Sequence, residues 1–317
     1  MSTPVEELLL DRSFVFVTGK GGVGKSSVAG ALAALSARRG RRTLVCEMDA
    51  KGALASALGV ETLEFEPREL EPNLFAMAMN TEDSLREYLR LFVKIPMIGK
   101  IGPLARTFDF VADAAPGVKE ILAVGKLCHE VRVRNYDLVV VDAEATGHIV
   151  AQIGAPRVIR NLVQVGLVRD QTDWMLDLLT DPQITGVAIV TTPEEMPVTE
   201  TLELVGRLER ETGVAPTAII ANRVLTPWFD ADGDAVFQRL DEHREILVDA
   251  MGTGVDTVLD AAHIAEARVA IGEGHLARLR AGAPDLPILT VPELFTRATG
   301  RRVVTLVADA LSESEVR

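Results

Sequence analysis

The feature that most constrains this chain is a glycine-rich octapeptide at residues 19–26, with the letters GKGGVGKS. An apolar run at residues 14–17 precedes it, and a long Ala/Leu-rich segment comes after it. Glycines at this spacing let successive backbone N–H groups curve around phosphate oxygens, and the next helix directs its positive end at them. The order of strand, glycine loop and helix therefore predicts a phosphate-binding loop.

The octapeptide fits the pattern GxxxxGK[ST], in which each position has a role. Lys25 is expected to reach the β- and γ-phosphates of a nucleotide, and Ser26 to place its hydroxyl on Mg²⁺. A glycine turn that packs strand against helix and binds nothing is the alternative. The candidate nucleotide-binding residues of this segment are Gly19, Lys20, Gly21, Gly22, Val23, Gly24, Lys25, Ser26 and Ser27.

A second apolar run, residues 138–141, ends in the acidic residue Asp142. A continuous apolar run is typical of a strand that is buried on both faces of a parallel sheet. Such a strand delivers the residue at its end to the edge of the sheet where ligands bind. We expect Asp142 to orient a water on Mg²⁺, so that Ser26 and Asp142 form the predicted metal site.

Strand-like runs alternate with helical patterns along the chain, which predicts the α/β class. The expected architecture is a doubly wound, mostly parallel sheet of a P-loop NTPase with an inserted helical subdomain. We expect one domain over residues 1–317, with helical insertions at about 81–135 and about 226–283. Residues 192–195, with the letters TPEE, have the pattern of a capping box and predict the start of a helix.

Composition excludes several classes of function. The formal net charge of −13 argues against non-specific binding to DNA, RNA or anionic lipid. The only cysteines, Cys46 and Cys128, are too far apart for a paired-cysteine zinc site, and no disulfide framework is possible. No apolar run approaches the ~20 residues of a membrane helix, and no basic, then apolar, leader begins the chain. We therefore expect a cytoplasmic protein with no nucleic acid, no zinc and no integral membrane segment.

Two segments each allow two interpretations. The arginines within residues 38–42 either end a helix, where cations complement its dipole and Gly40 caps it, or form a nucleic-acid patch. The apolar run at residues 95–104 contains Pro and Gly, so it neither continues a helix nor forms a regular strand. It is either a groove for an apolar partner or a buried connector between helices.

Lys20 directly follows the first glycine of the loop and narrows the class of phosphate-binding loop to which this one can belong. With it, the loop resembles that of the deviant P-loop ATPases, which include MinD/ParA, the nitrogenase iron protein, the arsenical pump-driving ATPase and the guided-entry factor for tail-anchored membrane proteins. The resemblance implies a dimer in which Lys20 crosses to the partner's nucleotide, so Lys20 joins Lys25 as a candidate catalytic residue. A solvated loop lysine is the alternative.

Asp49 follows the second predicted strand. This position resembles the start of the Asp-Pro-Ala-His-Asn switch of the arsenical-pump and guided-entry branch, which implies that Asp49 is the catalytic residue that activates the attacking water. Residues 50–53 depart from that pattern, so the Asn that supports the γ-phosphate is missing. A turn residue or helix cap is the alternative for Asp49.

The segment after Asp142 resembles the Asp-Thr-Ala-Pro-Thr-Gly-His switch of the same branch. Thr146, Gly147 and His148 match, whereas Glu144 and Ala145 do not. The resemblance implies that Gly147 binds nucleotide, and glycine allows a γ-phosphate sensor to change its backbone conformation. This match favours the arsenical-pump and guided-entry branch, in its bacterial form without the zinc site, over MinD/ParA.

Asn222 ends another buried strand-like run. Its amide can pair with the donor and acceptor on the edge of adenine, and in the resembled branch an Asn at this position binds the base. Pro292 and Glu293 stand where relatives close a loop over adenine. A strand-end turn is the alternative for Asn222.

The resemblance implies that the chain binds ATP/ADP and Mg²⁺ and acts as a dimeric, ATP-hydrolysing switch. Its nucleotide state would remodel a helical, partly apolar surface for a partner or an apolar protein client. The dimer is either a homodimer or a heterodimer with a paralogous ATPase. A hydrolysis-impaired regulatory half of such a heterodimer and a positioning ATPase similar to MinD/ParA are the alternatives.

Overall fold

A computed structural model describes residues 3–49, 51–88, 118–162 and 165–316 of the chain. The apolar run at residues 95–104 lies outside the described residues, as does much of the first predicted helical insertion. All of the predicted site residues lie within the described ranges.

One sheet forms the centre of the fold. Its strands, in chain order, are β1 (Phe14–Gly19), β2 (Thr43–Glu47), β3 (Arg68–Glu71), β4 (Leu74–Ala78), β5 (Leu138–Ala145), β6 (Thr185–Thr191), β7 (Ala218–Val224) and β8 (Ile288–Pro292). Their spatial order is β3-β4-β2-β5-β1-β6-β7-β8. Neighbours pair in parallel except β3 with β4, so the predicted mostly parallel sheet is confirmed and the antiparallel β3–β4 edge is an addition to it.

Helices connect most of the strands. A short helical segment, Glu6–Leu10, precedes β1. The others are α1 (Lys25–Arg38), α2 (Ala53–Leu58), α3 (Thr81–Tyr88), α4 (Val118–Arg132), α5 (Thr146–Leu162), α6 (Leu167–Thr180), α7 (Glu195–Thr212), α8 (Ala231–Glu242), α9 (Arg244–Met251), α10 (Gly254–Gly282) and α11 (Arg301–Glu313).

Helices cover both faces of the sheet, which confirms the doubly wound arrangement. On one face, α1, α2 and α11 pack over strand residues such as Val15, Val45 and Val140. On the other face, α4 to α7 pack over Phe16 and Val139 and their neighbours. Successive strand residues point to opposite faces, so strands that are apolar throughout supply both cores.

The second predicted helical stretch consists of α8, α9 and α10. The last of these packs on α7, where Leu276 and Leu279 are buried beside Val198. The three helices also carry exposed apolar side chains, at Val236, Leu240, Ile246, Met251, Val258, Ile264 and Ile271. That they form a separate subdomain with the first stretch stays a prediction.

The predicted capping box at residues 192–195 is wrong. Helix α7 begins at Glu195, and its cap, Glu194, makes no side-chain hydrogen bond to the helix. Thr192 is buried directly after β6, so it serves the strand end rather than the helix. Pro197 lies in the first turn of α7, where a proline removes no helical hydrogen bond. A proline at this position does not kink the helix.

The arginines after α1 are bound within the chain. Arg38 pairs with Asp309 at 2.8 Å, and Arg39 pairs with Glu6. Arg41 donates to the backbone oxygen of Asp137 at 2.9 Å, and the Arg42 guanidinium lies 4.2 Å from the centre of the Phe75 ring. These contacts favour the helix-end interpretation over a nucleic-acid patch.

None of the helices in the described part of the chain combines the length and apolarity that crossing a bilayer requires.

The packing of α11 on α1 can be tested at Leu311. This side chain is fully buried in the core on the sheet face that α1, α2 and α11 cover. Leu311→Ala removes apolar contacts and leaves a cavity, so the free energy of unfolding should fall by about 2–5 kcal/mol. Chemical denaturation measures it. Arg302→Ala, on the exposed side of the same helix, should change it by less than about 0.5 kcal/mol. Equal effects of the two substitutions would contradict this packing.

Candidate nucleotide site

The predicted site residues lie at one edge of the sheet. In a parallel sheet the carboxyl ends of the strands meet at the same edge, and ligands bind in the crevice beyond it. The glycine loop follows β1, Asp142 lies near the end of β5, and Asn222 lies near the end of β7. Asp49 comes two residues after β2, and Glu293 directly after β8. The fold thus brings these segments to the same edge.

The glycine loop needs its glycines for two separate reasons. Gly19 and Gly24 have φ of +147° and +97°, a conformation that other residues rarely adopt. A Cβ at Gly19 would also lie 2.1 Å from the backbone oxygen of Val190 on β6, and one at Gly24 would lie 2.4 Å from Asn222 Nδ2. The loop is therefore packed closely against β6 and β7, whereas a Cβ at Gly21 would meet nothing within 4 Å.

Asn222 holds the loop from the side of β7. Its side chain is buried, and Nδ2 donates a hydrogen bond of 2.8 Å to the backbone oxygen of Val23. The contact explains why residue 24 has no side chain. It uses one of the two amide hydrogens, so the predicted pairing of Asn222 with adenine stays a prediction.

Asp142 lies buried at the base of the loop, beside Ser26 at the start of α1. Burial raises the pKa of Asp142 to about 6, because a charged carboxylate loses its hydration; the Ser26 hydroxyl and the charge of Lys25 oppose that rise. A hydroxyl and an under-compensated carboxylate are hard oxygen ligands of the type Mg²⁺ prefers. Ser26 and Asp142 therefore fit the predicted metal site.

Lys25 starts α1 and points back over the loop. Its Nζ donates to the backbone oxygen of Lys20 at 3.2 Å. Partial burial lowers the pKa of Lys25, Asp142 opposes that change, and the charge of Lys51 adds to it. An ammonium held in the centre of the loop suits the binding of phosphates.

Glu47 belongs to this site and sequence reasoning missed it. It is buried at the end of β2, directly opposite Asp142 of β5 in the strand register. One carboxylate oxygen accepts hydrogen bonds from the backbone N–H groups of Ala53 at 2.7 Å and Leu54 at 3.2 Å. Glu47 thus fixes the start of α2 to the sheet. An acidic residue at the end of an apolar strand is the sequence signal that could have found it.

Asp49 lies in the loop between β2 and α2 and forms an ion pair with Lys51. It also lines a cavity of about 360 Å³ together with Glu144 and Gln152. Gln152 Nε2 donates to Glu144 at 2.9 Å. The buried oxygen of the Gln152 amide has no hydrogen-bond partner among the described residues. A cavity and one unsatisfied amide oxygen therefore lie near the predicted water-activating carboxylate.

The Thr146-Gly147-His148 segment forms the first turn of α5. Thr146 Oγ1 donates to Glu200 at 3.0 Å, and Lys20 Nζ lies 2.7 Å from the other oxygen of the same carboxylate. The hydrogen bond from Lys20 lowers the pKa of Glu200. Glu200, on α7, is a second residue that sequence reasoning missed, and nothing in its local sequence pattern indicates that it joins two motifs of the site.

The remaining predicted residues occupy the edge of the site. Gly147 has open space around the position of a Cβ, and the His148 ring is mostly exposed, with Nδ1 at 3.5 Å from Glu144. Pro292 ends β8, and the backbone N–H of Glu293 donates to Val224 at 2.9 Å. Glu293 lines a cavity of about 300 Å³ that runs past Arg223. Asn222 is not among the residues that line this cavity, so the predicted adenine position stays a prediction.

Comparison with known proteins gives a family match and several relatives. The family described as Anion-transporting ATPase matches residues 12–175 and 164–251. ATPase BagA of Mycobacterium tuberculosis is 32% identical over 203 residues, which cover 61% of this chain and 59% of that protein. The chain is thus aligned with about three fifths of the length of its mycobacterial relatives.

Two further relatives have informative names. The putative arsenical pump-driving ATPase of Halobacterium salinarum is 25% identical over 244 residues, covering 70% of this chain and 36% of that protein. ATPase get3 of Schizosaccharomyces japonicus is 31% identical over 160 residues, covering 49% of this chain and 48% of that protein. Both matches agree with the branch that the Thr-Gly-His segment indicates.

The raised pKa of Asp142 predicts that the free energy of unfolding depends on pH. Its pKa is raised to about 6 in the folded chain from 3.8, so between those values the folded chain holds a proton that the unfolded chain releases. The free energy of unfolding should fall as pH rises through this window. Asp142→Asn removes the cost and should stabilise the nucleotide-free chain at pH 7.5 by up to about 3 kcal/mol.

Thermal unfolding between pH 4 and pH 8 measures this effect. The gain from Asp142→Asn should shrink towards pH 4, and the extra stabilisation by ATP that depends on Mg²⁺ should be lost. The exposed Asp285→Asn variant is the matched control and should follow the wild type at every pH. A variant at Asp142 that is less stable than the wild type at pH 7.5 would contradict the assigned cost of burial.

Proposed function

Because the chain belongs to the anion-transporting ATPase family, we propose that it is a dimeric, Mg²⁺-dependent switch that binds and hydrolyses ATP. The observation that carries this proposal is the buried carboxylate of Asp142 beside Ser26, beneath a glycine loop that holds Lys25. These groups together provide a cation, a metal site and a row of backbone N–H donors for a triphosphate.

In the proposed reaction, a water oxygen attacks the γ-phosphorus in line with the bond to the β–γ bridging oxygen. That bond breaks, ADP leaves, and Asp49 accepts the proton of the water. Lys25 and the N–H groups of the loop hold the phosphate oxygens on which negative charge develops. Mg²⁺, held through Ser26 and a water on Asp142, would neutralise charge on the β- and γ-phosphates.

The dimer is proposed through Lys20. In the described chain Lys20 is paired with Glu200, which also binds Thr146 of the segment after β5. If Lys20 reaches the nucleotide of a second subunit, it has to leave Glu200, and the carboxylate that binds Thr146 then loses its cation. The arrangement supports a link between subunit contact and the segment that follows Asp142.

An apolar protein client is the proposed partner of the helical surface. Helices α8 to α10 leave apolar side chains exposed, and Trp228 and Phe295, with ring centres 6.1 Å apart, add exposed aromatic area. Exposed apolar side chains in such number favour a partner-binding surface. The helices follow β7, whose end bears Asn222, so a change at the nucleotide could reach them through this strand.

One observation favours a second candidate function. Ala53 offers no polar side chain where relatives have the Asn that supports the γ-phosphate, and its backbone N–H is already bound to Glu47. This supports a hydrolysis-impaired half of a heterodimer, in which a paralogous ATPase supplies the active switch.

Turnover and binding by the purified chain separate the two candidates. Lys25→Ala should weaken ATP binding, because it removes the cation on the phosphates. Asp49→Asn should keep ATP binding and lower the turnover rate by about 10²–10⁴-fold, the range for a lost general base. Asp285→Asn is the control that removes an exposed carboxylate. Tight ATP binding by the wild type with no turnover would favour the second candidate.

Sedimentation velocity tests the dimer. In the Asp49→Asn background, which should retain ATP, Mg²⁺ and ATP are expected to produce dimers. Lys20→Ala should abolish them while leaving ATP bound. Glu200→Gln should strengthen dimerisation several-fold, because Lys20 no longer has a charged partner in its own chain. Dimers that form equally well with Lys20→Ala would refute the proposed crossing.

A further inference from the structure

Lys51 is a cation of the described site whose role neither the glycine loop nor the predicted switch explains. It lies in the loop between β2 and α2, where it forms an ion pair with Asp49. Gly52, with φ of +79°, turns the backbone into α2. Glu47 holds the N–H groups of the next two residues, so the loop has a fixed root on the sheet.

The position of Lys51 relative to the other charges locates it at the phosphate end of the site. Its ion-pair partner Asp49 lines the same cavity as Glu144 of β5. This contact places Lys51 at the edge of the sheet where β5 and the glycine loop also end. The hydrogen bond to Asp49 is the main cause that raises the pKa of Lys51, and Glu144 adds a smaller contribution; burial is the main cause that lowers the pKa of Lys25, and the charge of Lys51 adds to it. A terminal phosphate bound by Lys25 would lie within this group of charges.

The ion pair with Asp49 is weak enough to be exchanged. The side chain of Lys51 is 77% exposed and that of Asp49 is 41% exposed. Ion pairs between exposed side chains stabilise a fold only weakly, because water screens the charges and both side chains lose freedom. A triphosphate carries more negative charge than one carboxylate and should attract the ammonium more strongly.

We propose that Lys51 is a catalytic residue of this chain. It breaks its ion pair with Asp49 and binds the terminal phosphate of ATP. The transfer does two things at once. It places a cation where Ala53 supplies no side-chain contact, and it frees the carboxylate of Asp49 to accept a hydrogen bond from the attacking water. The inference rests on the proposed ATPase function. It gives a catalytic role to a residue that differs from the corresponding residue of the Asp-Pro-Ala-His-Asn switch.

Nucleotide selectivity tests the proposal independently of turnover. Isothermal titration in Mg²⁺ would compare ADP with the imido analogue of ATP, which carries a γ-phosphate and is hydrolysed very slowly. Lys51→Gln should weaken the binding of the analogue by about tenfold, because one charge-assisted hydrogen bond is lost. The same variant should change ADP binding by less than about twofold. Lys51→Arg should restore most of the preference for the analogue.

Turnover by the same variants gives the second readout. Lys51→Gln should lower kcat by about 10–100-fold, because the phosphate loses a charge that stabilises the transition state. Arg210→Gln removes an exposed cation near the end of α7 that lies away from the site, and should change neither selectivity nor kcat.

The outcomes separate failure of this inference from failure of the ATPase. Equal weakening of both nucleotides, no change in either, or a rise in kcat with Lys51→Gln would overturn the role of Lys51 and leave the ATPase intact. Binding of neither nucleotide by the wild type would overturn the proposed function, and this inference with it.

Discussion

The close approach of the glycine loop to its neighbouring strands determines the position of the rest of the site. The backbone of Gly19 lies against the carbonyl of Val190, and Gly24 lies against the amide of Asn222. No side chain fits at either contact, so the loop is fixed against the ends of β6 and β7. Ser26 and Lys25 follow directly, and their positions relative to Asp142 are consequences of that fit.

Charge is the second constraint on the site. Three lysines of this site each have a partner within the chain. Lys20 pairs with Glu200, Lys51 with Asp49, and Lys25 with the backbone oxygen of Lys20. Exposed pairs of this type are weak and exchange readily for a more highly charged ligand. Buried Asp142 differs, because its charge has lost hydration and a bound cation would compensate it.

The two acidic residues that pattern reasoning missed have related positions. Glu47 joins β2 to the start of α2, and Glu200 joins the glycine loop to the first turn of α5. Each carboxylate thus connects two of the segments that a γ-phosphate would contact. Loss or gain of phosphate contact in one segment can therefore change the other through a single side chain, which is the physical requirement for a nucleotide-dependent switch.

The sequence by itself determined the α/β class, the glycine loop, the strand that ends near Asp142 and the branch to which the Thr-Gly-His segment points. These features are local, since a strand, a loop and a helix follow one another in the chain and their periodicity is visible in the residues. The helix start at Glu195 was misplaced because Thr192 can serve a helix cap or a buried strand end, and packing against the sheet decides between them.

Only the tertiary structure decided which residues meet across the chain. Lys20 and Glu200 are separated by 180 positions, and Val23 and Asn222 by 199. No local pattern encodes such a pairing, because the order of strands in the sheet sets it. The role of Glu200 depends on partners that the fold brings to one edge of the sheet, whereas Lys51 pairs with Asp49 two positions away and the glycine loop carries its chemistry within eight consecutive residues.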